Sequence, residues 1–141
     1  MKTSKISLFV ALGAAFWLAA ALIIRFCGTT VFTENNPKLI LLYLLAIPIT
    51  FVFLWVTKAI SNLSYADLLR PVVIITLTAT FLDSIALALF RQLYSQSFEV
   101  ALHGAALILW GVGLGLLLAF YLDSRRPKAQ EQIDKAAGTL Q

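Results

Sequence analysis

Charge is scarce in this chain of 141 residues: Lys, Arg, Asp and Glu make up 13% of it, while hydrophobic residues make up 60%. A water-soluble domain of this length must cover its apolar core with polar side chains, and 11 basic and seven acidic residues cannot do so. The same apolar content rules out a disordered chain. Cys27 is the only cysteine and His103 the only histidine, which excludes a disulfide framework, a thiolate cluster and a histidine pair. The chain also lacks a Walker loop, a dinucleotide glycine fingerprint, an H-E-x-x-H sequence and paired catalytic carboxylates. The net charge of +4 is spread between apolar runs, not gathered in a basic patch, so no nucleic-acid partner is expected. Nor are enzymatic activity, a metal or a cofactor.

What the chain does have is long apolar runs. A bilayer core about 30 Å thick needs roughly 20 apolar residues per helix. Four stretches meet that length: Ile6–Ile24, Leu39–Thr57, Val72–Phe90 and Val100–Leu122. None holds Lys or Arg, and Asp83 is the only acid inside any of them. They show no period-2 alternation, which argues against barrel strands, and helices satisfy their own backbone groups in lipid. The expected fold is an all-α bundle of four antiparallel transmembrane helices in residues 1–122, followed by a polar tail over 123–141. Asn35-Asn36-Pro37 is a helix-start signal with Asn36 as N-cap, and Ser64-Tyr65-Ala66-Asp67 is a capping-box variant leading toward the third span. Lys2 and Lys5 ahead of an apolar run also fit a signal peptide. The run is long for one, however, and ends in Ile-Ile-Arg-Phe-Cys without a small-residue cleavage site, so the first span is expected to be retained.

Orientation follows from the basic residues. Lys2, Lys5, Lys58, Arg70, Arg125, Arg126, Lys128 and Lys135 fall on one side, against Arg25, Lys38 and Arg91 on the other. The positive-inside rule then puts both termini in the cytoplasm. The tail is expected to act as a positive anchor, with Glu131 and Lys135 spaced to pair on a short helix.

Asp83 is the residue that requires explanation. An ionised carboxylate at the centre of a span costs about 2.5–3.5 kcal/mol on insertion scales, so it must be protonated, paired or wetted. Thr76, Thr80 and Asp83 recur at i, i+4 and i+7 on one helix face, with Ser84 beside them. With the third span running outward, Arg25 and His103 lie near the same depth, and the expectation is a polar cluster of Arg25, Asp83 and His103. Two readings stand: a proton or cation site, or an interhelical bond that fixes packing. His103, with Gly104 beside it, also has the chemistry of an axial ligand for haem or a magnesium tetrapyrrole, but a single histidine is more simply a hydrogen-bonding group at a helix end.

The remaining features concern packing. Gly111 and Gly115 form a GxxxG pair in the fourth span with Gly104 one heptad earlier, and Ala11, Ala15 and Ala19 repeat every four residues in the first. Such faces let backbones approach closely, either between spans one and four or across a dimer. Pro48 falls midway along the second span and is expected to kink it. Tyr43, Trp55, Tyr94, Phe98 and Tyr121 lie near span ends as an aromatic belt, whereas Trp17 and Trp110 are deeper and expected inside the bundle.

An early Trp17 in a span ending Ile24-Arg25-Phe26-Cys27-Gly28, a third span with Leu82-Asp83-Ser84-Ile85-Ala86-Leu87, and Ala105-Ala106-Leu107-Ile108-Leu109-Trp110-Gly111 in the fourth resemble a family of small bacterial four-span membrane proteins of unknown function. The resemblance spans residues 6–122, with Asp83 and Trp110 at its signature positions. It implies four helices in a bacterial inner membrane and supplies no activity. The small multidrug resistance transporters are also four-span proteins of this length, but their carboxylate is a Glu in the first span, and Ile6–Ile24 contains no acid. The expected function is that of a packing or interaction protein: a homodimer in the lipid bilayer, or an accessory subunit of a larger membrane complex. The alternative is a small proton- or cation-coupled transporter or ligand-binding protein using Asp83. A reporter fused to the C-terminus tests the orientation. A fluorescent protein should light up there and an alkaline phosphatase stay inactive; the reverse pattern inverts the topology.

Overall fold

The computed structural model describes residues 3–32 and 36–125. Lys2, Asn35, and the tail residues Arg126, Lys128, Glu131 and Lys135 fall outside the described residues. Four helices carry the fold: α1 (Thr3–Val31), α2 (Pro37–Ser61), α3 (Leu69–Leu89) and α4 (Phe98–Ser124), with single 3-10 turns at Tyr65–Asp67 and Arg91–Leu93. Each of the four is long and apolar enough to cross a membrane. At 1.5 Å per residue the shortest, α3, spans about 32 Å, which matches the hydrocarbon core. No strand occurs among the described residues.

Local chemistry sets the ends of these helices. The Asn36 side chain caps α2 by accepting from the Lys38 N–H, and Pro37 occupies the first helical position, where its missing N–H costs nothing. Asn62 ends α2 in the left-handed region at φ 52°, a conformation asparagine tolerates. Pro48 lies inside α2, which continues through it. Ser64 and Asp67 do not open α3. They close a separate 3-10 turn in which the Ser64 hydroxyl donates to Asp67 Oδ2 at 2.6 Å, and α3 begins at Leu69 with Pro71 buried in its first turn. α1 continues seven residues past Ile24 to Val31, so Arg25 lies within the helix instead of at its end.

In lipid the hydrophobic effect does not drive helices together, so close van der Waals packing must. α1 packs most extensively along α3, α3 also packs on α4, and α2 rests mainly on α4. The inner face of α1 is Phe9, Gly13, Trp17, Ala21, Ile24 and Gly28, a helical period of three to four residues. Gly13 sits against α3 so closely that an added Cβ would lie 2.7 Å from the Ile75 carbonyl oxygen. Gly104 of α4 likewise receives the Ile24 side chain, and Gly28 receives Val100.

The small-residue faces read from the sequence are therefore placed differently. Ala11, Ala15 and Ala19 are exposed, because a shift of two residues from the Gly13 line rotates a side chain by about 200°, to the opposite face. Gly111 and Gly115 do not meet another backbone: nothing lies within 4 Å of a Cβ added at Gly111, and at Gly115 only the Thr50 methyl does, at 3.8 Å. Of that set, Gly104 alone makes a close interhelical contact.

Buried apolar side chains gather at the two ends of the bundle. Ala21, Ile24, Phe32, Ala86, Tyr94, Val100 and Ala101 close one end. Leu54, Leu68, Val72 and Ala119 close the other. Between them α2 stands off from α1 and α3 and leaves a cavity. The tight α1–α3 crossing predicts that Gly13→Ala lowers stability by about 1–3 kcal/mol through overpacking. Gly113→Ala, which meets nothing within 4 Å, should leave stability unchanged or raise it. Thermal unfolding followed by circular dichroism in one detergent compares the two.

Candidate functional site

Asp83 lies on α3, six residues from its end and so about 9 Å along the helix from Leu89. It is 7% exposed. Two side chains reach it from other elements. The Trp17 indole N–H, halfway along α1, donates to Asp83 Oδ1 at 2.9 Å and is shared with the Tyr94 hydroxyl, also at 2.9 Å. The Tyr94 hydroxyl donates in turn to the same oxygen, Asp83 Oδ1. Tyr94 follows the 3-10 turn in the α3–α4 connection and is fully buried, pointing back into the bundle. The three residues form a clasp between α1, α3 and that connection. Both bonds fall on Oδ1, and Oδ2 has no donor among the described residues.

Asp83 and Trp17 also line the cavity between the helices. Its volume is about 190 Å³, and all four helices contribute to the wall. Most of that wall is aliphatic and aromatic, including Phe16, Phe53, Ile75 and Ile108, with Gly111 and Gly115 providing room on α4. The hydroxyls in the wall are already used within their own helices: Thr50 donates to the Ala46 carbonyl at 2.7 Å, Thr57 to Phe53 at 2.8 Å and Thr76 to Val72 at 2.8 Å. Asp83 is the one ionisable side chain among the lining residues.

The expected cluster of Arg25, Asp83 and His103 does not form. Arg25 donates to the carbonyls of Gln92 and Leu93, at 3.1 and 3.2 Å. Its reach is spent on holding the turn that precedes Tyr94. His103 Nδ1 lies 2.9 Å from the Glu99 carbonyl one turn earlier, and its ring stacks on Phe32, away from the cavity lining. Of the polar stripe, Thr76 shares the cavity wall with Asp83, Thr80 is half-buried, and Ser84 is exposed and donates to the Thr80 carbonyl. Trp110 is 45% exposed on the lipid side, where its indole N–H donates to the Tyr43 carbonyl at 3.2 Å. Among the described residues no three His, Cys, Asp or Glu side chains converge on a metal-sized site.

Sequence reasoning missed both partners of Asp83. For Trp17 the signal was present: an indole N–H halfway along a span and a carboxyl deep in another are both unsatisfied in hydrocarbon, and each is what the other needs. Tyr94 carried no such signal, because a tyrosine in a short polar connection reads as a membrane-interface residue.

A family model matches residues 31–126, more than half of the chain. The chain belongs to DUF5367, a family of unknown function. The matched stretch of DUF5367 begins at the last residue of α1 and is narrower than the resemblance over 6–122. It holds Asp83, Tyr94 and Trp110, whereas Trp17 lies before it. No curated protein and no solved structure matches the chain.

The clasp has a consequence at alkaline pH. Burial, and next the bond to Asp83, push the Tyr94 phenol above its ordinary value of 10.0. A phenol whose ionisation is suppressed in the folded state contributes stability that is complete below the ordinary tyrosine range and is lost as pH rises through it, because only the unfolded chain then releases the proton. Stability should therefore be level from neutral pH to about 9 and fall above about 10. In Tyr94→Phe the fall should be much smaller, with a loss of about 1–3 kcal/mol at neutral pH from the donor withdrawn from Asp83. Unfolding at a series of pH values checks both.

Proposed function

We propose that the protein is a multi-pass membrane protein that binds a small lipophilic molecule between its four helices, with Asp83 as the polar anchor. The observation that carries this reading is a nearly buried carboxyl, held by two donors on one oxygen and without a donor on the other, at the wall of an apolar cavity. Pockets that bind small molecules combine a largely apolar wall with few polar groups. A largely apolar cavity of this size can take up an apolar guest. The distribution of basic residues supports a cytoplasmic position for both termini, and the resemblance supports a bacterial inner membrane. No chemistry is assigned to Asp83, and the protein is read as a binder, not an enzyme.

A second reading has its own observation. The clasp joins α1 to α3 and to the α3–α4 connection, so Asp83 also fits a purely structural role in a packing protein: a homodimer or an accessory subunit of a larger membrane complex. Two substitutions separate the readings. Asp83→Asn keeps an acceptor oxygen for Trp17 and Tyr94 and removes the acid, while Gly111→Leu fills the cavity at a position where an added Cβ meets nothing. In lipid nanodiscs the wild-type protein should bind propylbenzene, detected by saturation-transfer NMR against empty nanodiscs. Gly111→Leu should abolish that binding with the melting temperature kept, and Asp83→Asn should remain folded. Absence of binding by the wild type, or loss of folded protein in Asp83→Asn, favours the structural role.

A further inference from the structure

The clasp leaves a specific vacancy in the chemistry around Asp83. Its Oδ1 accepts two hydrogen bonds, and its Oδ2 has no donor among the described residues. Arg25, Arg91 and His103 all make their contacts elsewhere. Arg25 is on the Gln92 and Leu93 carbonyls, the Arg91 guanidinium lies 5.4 Å from the Phe98 ring centre, and His103 is on the Glu99 carbonyl. Among the described residues no basic side chain lines the cavity, so a cationic partner for Asp83 would have to be its occupant.

The walls describe the remainder of that occupant. Phe16, Trp17 and Phe53 line it with aromatic rings, a residue type that suits both an aromatic ring and a cation. A cavity of about 150 Å³ admits benzene. The volume of about 190 Å³ found here leaves room for a ring and a short arm. An entrance is visible as well. α2 meets α1 and α3 only sparingly. Ile23 and Ile49 line the cavity and are also exposed to the lipid side, at 50% and 42%. Across that seam the rings of Phe16 and Phe53 stack with centres 4.6 Å apart.

Resting on the binding reading above, we propose that the cavity takes a small aryl-alkyl amine from the bilayer, admitted between α1 and α2 past the Phe16–Phe53 stack, with its ammonium group on Asp83 Oδ2. Binding in this arrangement is set by one charge-assisted hydrogen bond at the Asp83 end and by apolar fit elsewhere.

Calorimetric titration of the full chain in nanodiscs, with empty nanodiscs subtracted, compares phenethylamine with its uncharged isostere propylbenzene. Measured against each compound's own partition into empty nanodiscs, the amine should bind at least about tenfold more tightly, as expected for a charge-assisted hydrogen bond made away from water. Asp83→Asn should bring the amine to the affinity of the hydrocarbon and leave the hydrocarbon unchanged. Phe53→Ala should raise the association rate of both compounds and preserve their ratio. Equal affinities in the wild-type protein overturn the amine assignment while leaving a lipophilic site in place, and that comparison needs no variant. No binding of either compound overturns the cavity reading itself. An association rate unchanged in Phe53→Ala overturns the α1–α2 route.

Discussion

A carboxyl group placed among apolar helices has no solvent to answer it, and the protein's solution is to bring two donors to it from other elements. Trp17 comes from the middle of α1 and Tyr94 from the connection that follows α3, and both converge on one oxygen of Asp83. Neither donor is free to sit elsewhere once that bond is made. The indole bond and the close Gly13–Ile75 approach together turn the Gly13 line toward α3 and the alanine line outward. The phenol draws the α3–α4 connection into the bundle, where Phe32, Val100 and Ala101 pack around it. Arg25 completes the arrangement by binding the carbonyls immediately before Tyr94. In a membrane, where burial of apolar surface contributes little between helices, such bonds add about 0.6–2 kcal/mol each to the van der Waals packing that holds the helices.

The four helices were legible because length and composition alone decide them in a bilayer. So was the cap at Asn36, where one side chain and one proline act locally. The faces by which the helices meet were less legible. Small residues occur on two faces of α1, and both have helical spacing. Which one turns inward depends on contacts far apart in sequence: the close approach of Gly13 to Ile75, and the clasp, whose partners lie 66 and 77 positions from Trp17. The GxxxG pair in α4 shows the same limit: its glycines allow close approach but do not require it, and here they border open space. For Asp83, the sequence showed that a partner was needed and suggested charged ones. The basic candidates found carbonyl oxygens closer at hand, so neutral donors fill the role.

The cavity follows from the same division. Close packing is concentrated at the two ends, and α2, which rests mainly on α4, does not close the space in the middle. Gly111 and Gly115 enlarge that space by withholding side chains. Membrane helices can leave such room because their stability does not rely on one continuous core.

The threonines that border the cavity give it a property its volume does not describe. Thr50, Thr57 and Thr76 each donate their hydroxyl to a carbonyl of their own helix. Along that length the wall holds no proton left to offer a guest, and the unclaimed oxygen of Asp83 lies at one end. The space is consequently polarised like a socket with a single live contact. A molecule inside it can vary in shape toward the far end, but a hydrogen-bond donor that it carries finds its acceptor only at the Asp83 end.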